Sequence, residues 1–213
     1  MIKENPNFIK LRKQMVEEQL RKRSISDERV LEAMGEIHRH EFVKTCDLPA
    51  AYHDGPIPIG FGQTISQPFI VAYMTAALHI NSANSILEIG TGCGYQTAIL
   101  CKLGKQITSI ERIPELADDS RKTMKRLGFE NVDVITADGY NGWKENAPYD
   151  RILVTASPRR IPKALTDQLA NNGRMVVPVG ATVFTQHLWI ITKDEDGIIN
   201  KTKSLGVRFV PMV

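Results

Sequence analysis

The residues best placed to do chemistry are three glycines. Gly90, Gly92 and Gly94 follow the apolar string Ile86-Leu87-Glu88-Ile89 and precede a helical pattern that begins near Tyr95. Glycine lets a chain turn tightly and come close to a ligand, and the free N–H groups of a helix start face that ligand. The G-x-G-x-G spacing, which takes in Thr91 and Cys93, is one residue shorter than the dinucleotide fingerprint. It therefore suits a nucleoside carrying an amino-acid tail better than a pyrophosphate. Glu111 stands 21 residues after Gly90, directly after a second apolar run and beside Arg112. A carboxylate there accepts paired hydrogen bonds from ribose hydroxyls and repels a 2′-phosphate. The plainer alternative is a surface carboxylate paired with Arg112. Asp138-Gly139, after the third apolar run, fits the place where an adenine edge is gripped, or else a simple Asp-Gly turn.

A second cluster is the string Gln63-Thr64-Ile65-Ser66-Gln67. It offers hydroxyl and amide donors but no Asp, Glu or Lys, which suits holding an anion without repelling it. Ser66 has no evident His and acid partner, so it reads as a poor nucleophile. His38-Arg39-His40-Glu41 lacks the H-E-x-x-H spacing, and the other histidines, at 53, 79 and 187, are scattered. Surface or packing roles are expected for them, and no metal. Trp143 and Trp189 are too far apart in sequence to mark a stacking platform for single strands.

These residues need a scaffold. From residue 85, short apolar runs (Ile86 to Ile89, Ile107 to Ile110, Val132 to Ile135, Ile152 to Val154, Met175 to Val179) alternate with helical stretches. Such alternation predicts an α/β fold, a doubly wound and mostly parallel sheet with helices on both faces. His187 to Thr192 reads as a further strand, Asp194 to Gly197 as a turn and Gly206 to Met212 as a closing strand, a hairpin-like extension. Before the sheet, Phe8, Leu11, Met15, Val16 and Leu20 share one helical face. Ser26 is the expected N-cap of a second helix carrying Val30, Leu31, Met34 and Ile37. Four prolines and three glycines between Pro49 and Pro68 predict an ordered loop of about 20 residues, packed through Tyr52, Ile57, Ile59, Phe61 and Ile65. One domain spans 1–213: N-terminal helices over 1–48, the loop and a following helix over 49–84, the α/β core over 85–180 and C-terminal strands over 181–213.

The composition agrees with a globular chain. Of 213 residues 42% are hydrophobic and 24% charged, which argues against disorder and fibrous repeats. The 27 basic and 24 acidic residues leave +3, too small an excess for a dedicated nucleic-acid binder. Arg121, Lys122, Lys125 and Arg126 alternate with Ser120, Met124 and Leu127 at helical spacing and read as a solvated face. Three cysteines, Cys46, Cys93 and Cys101, without a C-x-x-C pair or an apolar leader, predict a reduced cytoplasmic protein. No apolar run approaches the ~20 residues a membrane span requires.

The sequence resembles the protein-L-isoaspartate (D-aspartate) O-methyltransferase family over nearly its whole length. It is similar at Met15-Val16-Glu17 with Gln19-Leu20, at Arg29-Val30-Leu31 with Ala33-Met34, and at Ala51-Tyr52 before Pro56 to Gly60. The likeness is most specific at Gly62 to Pro68, Leu87 to Tyr95, Ser109 to Arg112, Pro148 to Asp150, Gly173-Arg174, Pro178 to Gly180 and Phe209 to Pro211. The resemblance implies a Rossmann-like S-adenosylmethionine-dependent methyltransferase fold. It also implies a repair enzyme that methylates, by direct in-line displacement, the free carboxylate of L-isoaspartyl and D-aspartyl residues in damaged proteins and peptides; a monomer acting without metal, nucleic acid or membrane is expected. Carried over by position, Ser66 takes the active-site serine's place, and Gln63, Thr64, Ile65 and Ser66 the substrate loop. Gly90, Thr91, Gly92, Cys93 and Gly94 match the turn at the methionine moiety, Glu111 with Arg112 the ribose site, Asp138 and Gly139 the adenine site, and Gln186 a late-loop glutamine near the cofactor. Cys93 departs from the family's usual Ser, Ser157 from a frequent Ala, and Phe69 from a His of some members. A substrate carboxylate with a pKa of about 4 is ionised at neutral pH, so no general base is demanded. Two other classes fit parts of the pattern: a nicotinamide-dependent oxidoreductase, which would bind NADH rather than S-adenosylhomocysteine, and a non-catalytic module, which would bind neither.

Overall fold

The computed structural model describes residues 5–181 and 185–212. The parts of the expected terminal helices and strands that fall on 1–4, 182–184 and 213 lie outside the described residues. Helix α1 (Pro6–Gln14) runs on through a π-helical turn at Met15–Leu20 and is followed by α2 (Glu28–Glu36). Asp27, not Ser26, caps α2: its carboxylate accepts from the Arg29 N–H at 3.1 Å, and Ser26 is exposed. A negative cap answers the positive end of the helix as well as an orphan donor, which a hydroxyl one residue earlier cannot do.

Residues 49–68 are more ordered than a loop. Strands β1 (Ile57–Gly60) and β2 (Gln63–Ile65) form an antiparallel ribbon, closed by Phe61-Gly62 with both residues at positive φ, 52° and 71°. That is the conformation which matches the twist of a tight hairpin. Tyr52, Ile57, Ile59 and Ile65 are buried, whereas Phe61 is 58% exposed at the tip, contrary to its expected packing role. Helix α3 (Pro68–Ala77) then starts on Pro68, where the missing N–H costs nothing.

The main sheet comprises β3 (Ser85–Ile89), β4 (Gln106–Glu111), β5 (Val132–Thr136), β6 (Tyr149–Val154), β7 (Leu169–Val179), β8 (Gln186–Lys193) and β9 (Ile199–Val207). Their order is β5-β4-β3-β6-β7-β8-β9, parallel from β5 to β7 and antiparallel across β7-β8 and β8-β9. The chain winds outward from β3 to β5 and then returns to β6 on the other side of β3. Strand order reverses between β3 and β6, and a crevice opens there at the carboxyl ends. Helix α4 (Tyr95–Leu103) follows β3, α5 (Pro114–Arg126) follows β4 and α6 (Lys163–Gln168) precedes β7. One core packs residues of α2, α3, α4 and α5 on Ile86 and Ile107, and the other packs Leu165, Tyr149 and Met212 on Leu87, Ile89 and Val177. Burial on both faces is why β3, β4, β6 and the second half of β7 read as largely apolar runs.

The last strand departs from expectation. β9 covers Ile199–Val207, and residues 208–212 leave the edge to lie across the sheet end, where Ser157 N–H donates to Val210 O at 2.8 Å and Met212 N–H to Ser157 O at 2.9 Å. An edge strand such as Asn200-Lys201-Thr202-Lys203 can be polar because solvent covers it. The apolar Phe209 and Met212 are buried, one in each core, so their hydrophobicity marks a plug rather than a strand.

Candidate functional site

The glycine loop leaves the end of β3 into the crevice. Gly90 N–H donates to Ile110 O at 2.8 Å, and the chain turns at φ 96° before entering α4. A Cβ on Gly90 would sit 2.4 Å from Thr155 Oγ1, so both the conformation and the space require glycine. Glu111, at the end of β4, is 7% exposed, and its oxygens accept from Gly92 N–H at 2.8 Å and Ile113 N–H at 2.9 Å. It forms no ion pair with the exposed Arg112 among the described residues. Each oxygen keeps a further lone pair for a ligand hydroxyl. These elements enclose a cavity of about 270 Å³ that Gly90, Gly92, Glu111, Arg112 and Gly139 line together with Gln63 and Thr64 of the ribbon. Apolar walls come from Ile89, Ile110, Ile113, Val210 and Met212. At Gly139 a Cβ would meet Ile89 Cγ2 at 2.3 Å, so the wall there is bare backbone.

Two further spaces adjoin. A narrow one of about 40 Å³ is lined by Thr64, Ile65, Ser66, Thr91, Cys93 and Tyr95, among others. A groove of about 610 Å³ is lined by Pro56, Thr64, Ser66, Gln67, Thr155 and Arg208, among others. Thr64 and Thr155 line all three spaces, and Ser66 lines the narrow one and the groove. The site is thus a chamber, a narrow neck and a groove that share lining residues.

Some residues singled out by sequence lie elsewhere. The Asp138 carboxylate caps a single turn by accepting from Tyr140 N–H at 2.9 Å, and Asp138 borders a separate cleft with Asn141 and Trp143. Gln186 is 1% exposed and spends its amide on Phe209, accepting from its N–H at 2.5 Å and donating to its carbonyl at 3.0 Å. It lines none of the three spaces but fixes the tail whose next residues, Val210 and Pro211, wall the chamber. Gly94 caps α4 behind the loop. Cys93 does line the narrow space, where burial pushes its thiol up to about 11 and keeps it neutral. His40 is stacked on Phe8 at 4.1 Å, with Nδ1 2.7 Å from the Tyr52 hydroxyl, a packing arrangement. Among the described residues no group of three or more His, Cys, Asp or Glu could hold a metal ion.

Two residues that sequence reasoning passed over prove central. Thr155 follows β6, and its hydroxyl lies 2.7 Å from Gly90 O and 3.0 Å from Ile89 O, buttressing the glycine loop from the neighbouring strand. Its signal was position: a hydroxyl directly after an apolar strand, at the end where ligands bind. Arg39 is wholly buried. Its Nε donates to Ala51 O and one terminal nitrogen to Ser66 O, both at 2.8 Å, and the guanidinium carbon lies 4.8 Å from the Tyr95 ring centre. The other terminal nitrogen, Nη1, has no partner among the described residues. Loss of solvent pulls the Arg39 pKa down, and Tyr95 opposes that.

Behind the loop lies a second buried charge site. Glu88 Oε2 accepts from Thr97 and Ser109 hydroxyls, each at 2.6 Å, and the Ser109 hydroxyl is 2.6 Å from that of Thr91. Burial pushes this carboxyl up to about 7, against the two hydroxyls. Its folded pKa exceeds the unfolded value, so its contribution to stability is complete below about pH 4.5 and is lost as pH rises to about 7. Glu88→Gln removes that titration. In thermal melts, the variant's Tm relative to wild type is expected to climb by roughly 5 °C between pH 5 and 8. A difference that is flat with pH would contradict the burial argument.

A family model described as Protein-L-isoaspartate(D-aspartate) O-methyltransferase matches residues 10–213. The chain belongs to this family. A relative from Gloeobacter violaceus, named Protein-L-isoaspartate O-methyltransferase, is 48% identical over 198 residues, covering 93% of this chain and 96% of that protein. A solved structure of the same name superposes with a TM-score of 0.84 at 29% identity, over 94% of this chain and 65% of that longer one. Another, from Plasmodium falciparum and described in complex with S-adenosyl-L-homocysteine, gives a TM-score of 0.80 at 28% identity, over 95% and 98% of the two chains. The family is S-adenosylmethionine-dependent, and the chamber's bare glycine wall, buried carboxylate and apolar lining fit a nucleoside with an amino-acid tail.

Proposed function

We propose that this chain methylates the free carboxylate of L-isoaspartyl residues, and of D-aspartyl residues, in damaged proteins and peptides. The observation that carries this reading is the continuity of chamber, neck and groove through Thr64 and Thr155, with Ser66 where neck and groove meet. S-adenosylmethionine, when bound, supplies an electrophilic methyl group on a sulfonium. Glu111 holds the ribose hydroxyls, the backbone of Gly90 and Gly92 flanks the methionine tail, and Gly139 leaves room for the adenine. Ser66 and Thr64 donate hydrogen bonds to the substrate carboxylate and orient it towards the neck. None of these side chains needs to move a proton, because the carboxylate is already ionised at neutral pH. Most of the rate enhancement then comes from holding two reactants in line. We infer further that the chain acts on polypeptides as a monomer in the cytoplasm; its three cysteines are free, and no described helix is long and apolar enough to cross a membrane.

Transfer of a labelled methyl group from S-adenosylmethionine to matched isoaspartyl and aspartyl peptides tests the reading. Label is expected in the isoaspartyl peptide alone, and equal labelling, or a thermal shift with NADH in place of S-adenosylhomocysteine, would overturn it. Removing a charged acceptor of two hydrogen bonds costs on the order of 1.5 to 3 kcal/mol. Glu111→Ala should therefore weaken S-adenosylhomocysteine about 10- to 150-fold in a calorimetric titration. Unchanged affinity would remove Glu111 from the ribose site.

A further inference from the structure

The groove beyond Ser66 carries charge of one sign. Arg208 is the charged side chain among those lining it, and no Asp or Glu lines it. Arg208 is exposed, and no hydrogen bond or ion pair occupies its guanidinium among the described residues. Its backbone is nonetheless held, because the next residue, Phe209, is clamped at both N–H and carbonyl by the buried Gln186. A fixed backbone with an uncommitted guanidinium is what recognition of an external carboxylate requires. The nearby carboxylate does not compete. Asp54, whose carbonyl accepts from the groove residue Gln67 at 3.3 Å, is paired with Arg23 at 2.8 Å.

We infer that Arg208 selects substrates carrying an acidic side chain within a few residues of the isoaspartyl site. This rests on the methyltransferase reading and extends it from the damaged residue to its neighbours. Ser66 and Arg208 line one groove, and an extended peptide advances about 3.3 Å per residue. A polypeptide whose carboxylate meets Ser66 then lies in the groove that Arg208 lines, which brings Arg208 to residues close in sequence.

The test is a set of isoaspartyl peptides of equal length bearing Glu, Gln or Lys at one flanking position at a time. At one or more positions on one side of the isoaspartyl residue, wild type is expected to show kcat/KM in the order Glu, Gln, Lys. Each step should be about 1.5- to 5-fold at low salt, the range of exposed ion pairs, and smaller in 0.5 M salt. R208Q should flatten the order and R208E should reverse it, with S-adenosylhomocysteine affinity unchanged in both. The inference fails if R208Q keeps the wild-type order, or if it lowers kcat/KM by one factor for every peptide, which would place Arg208 on the methylated carboxylate itself. Failure of wild type to methylate any isoaspartyl peptide would instead overturn the underlying activity.

Discussion

Gly90→Ala is expected to weaken S-adenosylhomocysteine by 100-fold or more while the far-ultraviolet circular dichroism stays near that of wild type. At φ 96° an alanine is strained by on the order of 1–3 kcal/mol, and its Cβ would lie 2.4 Å from Thr155 Oγ1. That hydroxyl lies within hydrogen-bonding distance of Ile89 O and Gly90 O, so displacing it loosens the chamber wall as well. Together the two costs reach about 3 kcal/mol, roughly a factor of 100 in affinity. The strands are spared, because the strain falls beyond the last paired residue of β3, Ile89. Thr155→Ala in the same chain removes the clashing oxygen and leaves the Thr155 Cβ at 3.7 Å, an ordinary contact. The double variant should recover part of the lost affinity, a coupling that calorimetric titration of the four proteins measures. Independent losses in the two single variants, or affinity within threefold of wild type in Gly90→Ala, would show that the loop is not a binding surface.

The same residues explain how much of the molecule was legible from its sequence. Strands β3, β4, β6 and the second half of β7 were readable because burial on both faces leaves largely apolar runs, the edge strand β5 because Val132, Val134 and Ile135 face the protein, and the glycine loop because positive φ and close approach restrict residue choice. The ribbon β1-β2 was not, since three- and four-residue strands broken by Pro58 and Gly60 carry no period, and the turn at Phe61-Gly62 lacks the usual Asn-Gly. β9 was hidden by its solvated edge, and the plug after it looked like a strand because Phe209 and Met212 are apolar for another reason. Within the site, Glu111 stood out by its place after a strand, whereas Thr155 acquires meaning only from the pairing of β3 with β6, residues more than sixty apart. Arg39 was masked by its setting among His38, His40 and Glu41, which invites a metal reading, while its partners are carbonyls that no sequence pattern records.

Arg39 also bears on the second large effect, at Ser66. Ser66→Ala is expected to lower kcat/KM for an isoaspartyl peptide about 100-fold, since a carboxylate misplaced by about 1 Å loses that much rate. S-adenosylhomocysteine affinity should stay within a few-fold, because Ser66 lines the neck and groove but not the chamber. No methylated Ser66 should appear by mass spectrometry in enzyme quenched during turnover, as the attacking oxygen belongs to the substrate. The serine's backbone is held from behind: the Arg39 fork bonds Ala51 O and Ser66 O at once, tying residues 51 and 66 together. Lysine keeps the charge but cannot reproduce two N–H bonds in that fixed plane. Arg39→Lys should therefore reduce kcat more than it weakens S-adenosylhomocysteine, even where stability also falls. If Arg39 acts through Ser66, the Ser66→Ala, Arg39→Lys double variant loses little more in kcat/KM than Ser66→Ala alone. Multiplicative losses would mean that the buried cation serves the fold and leaves the placement of the serine to other contacts.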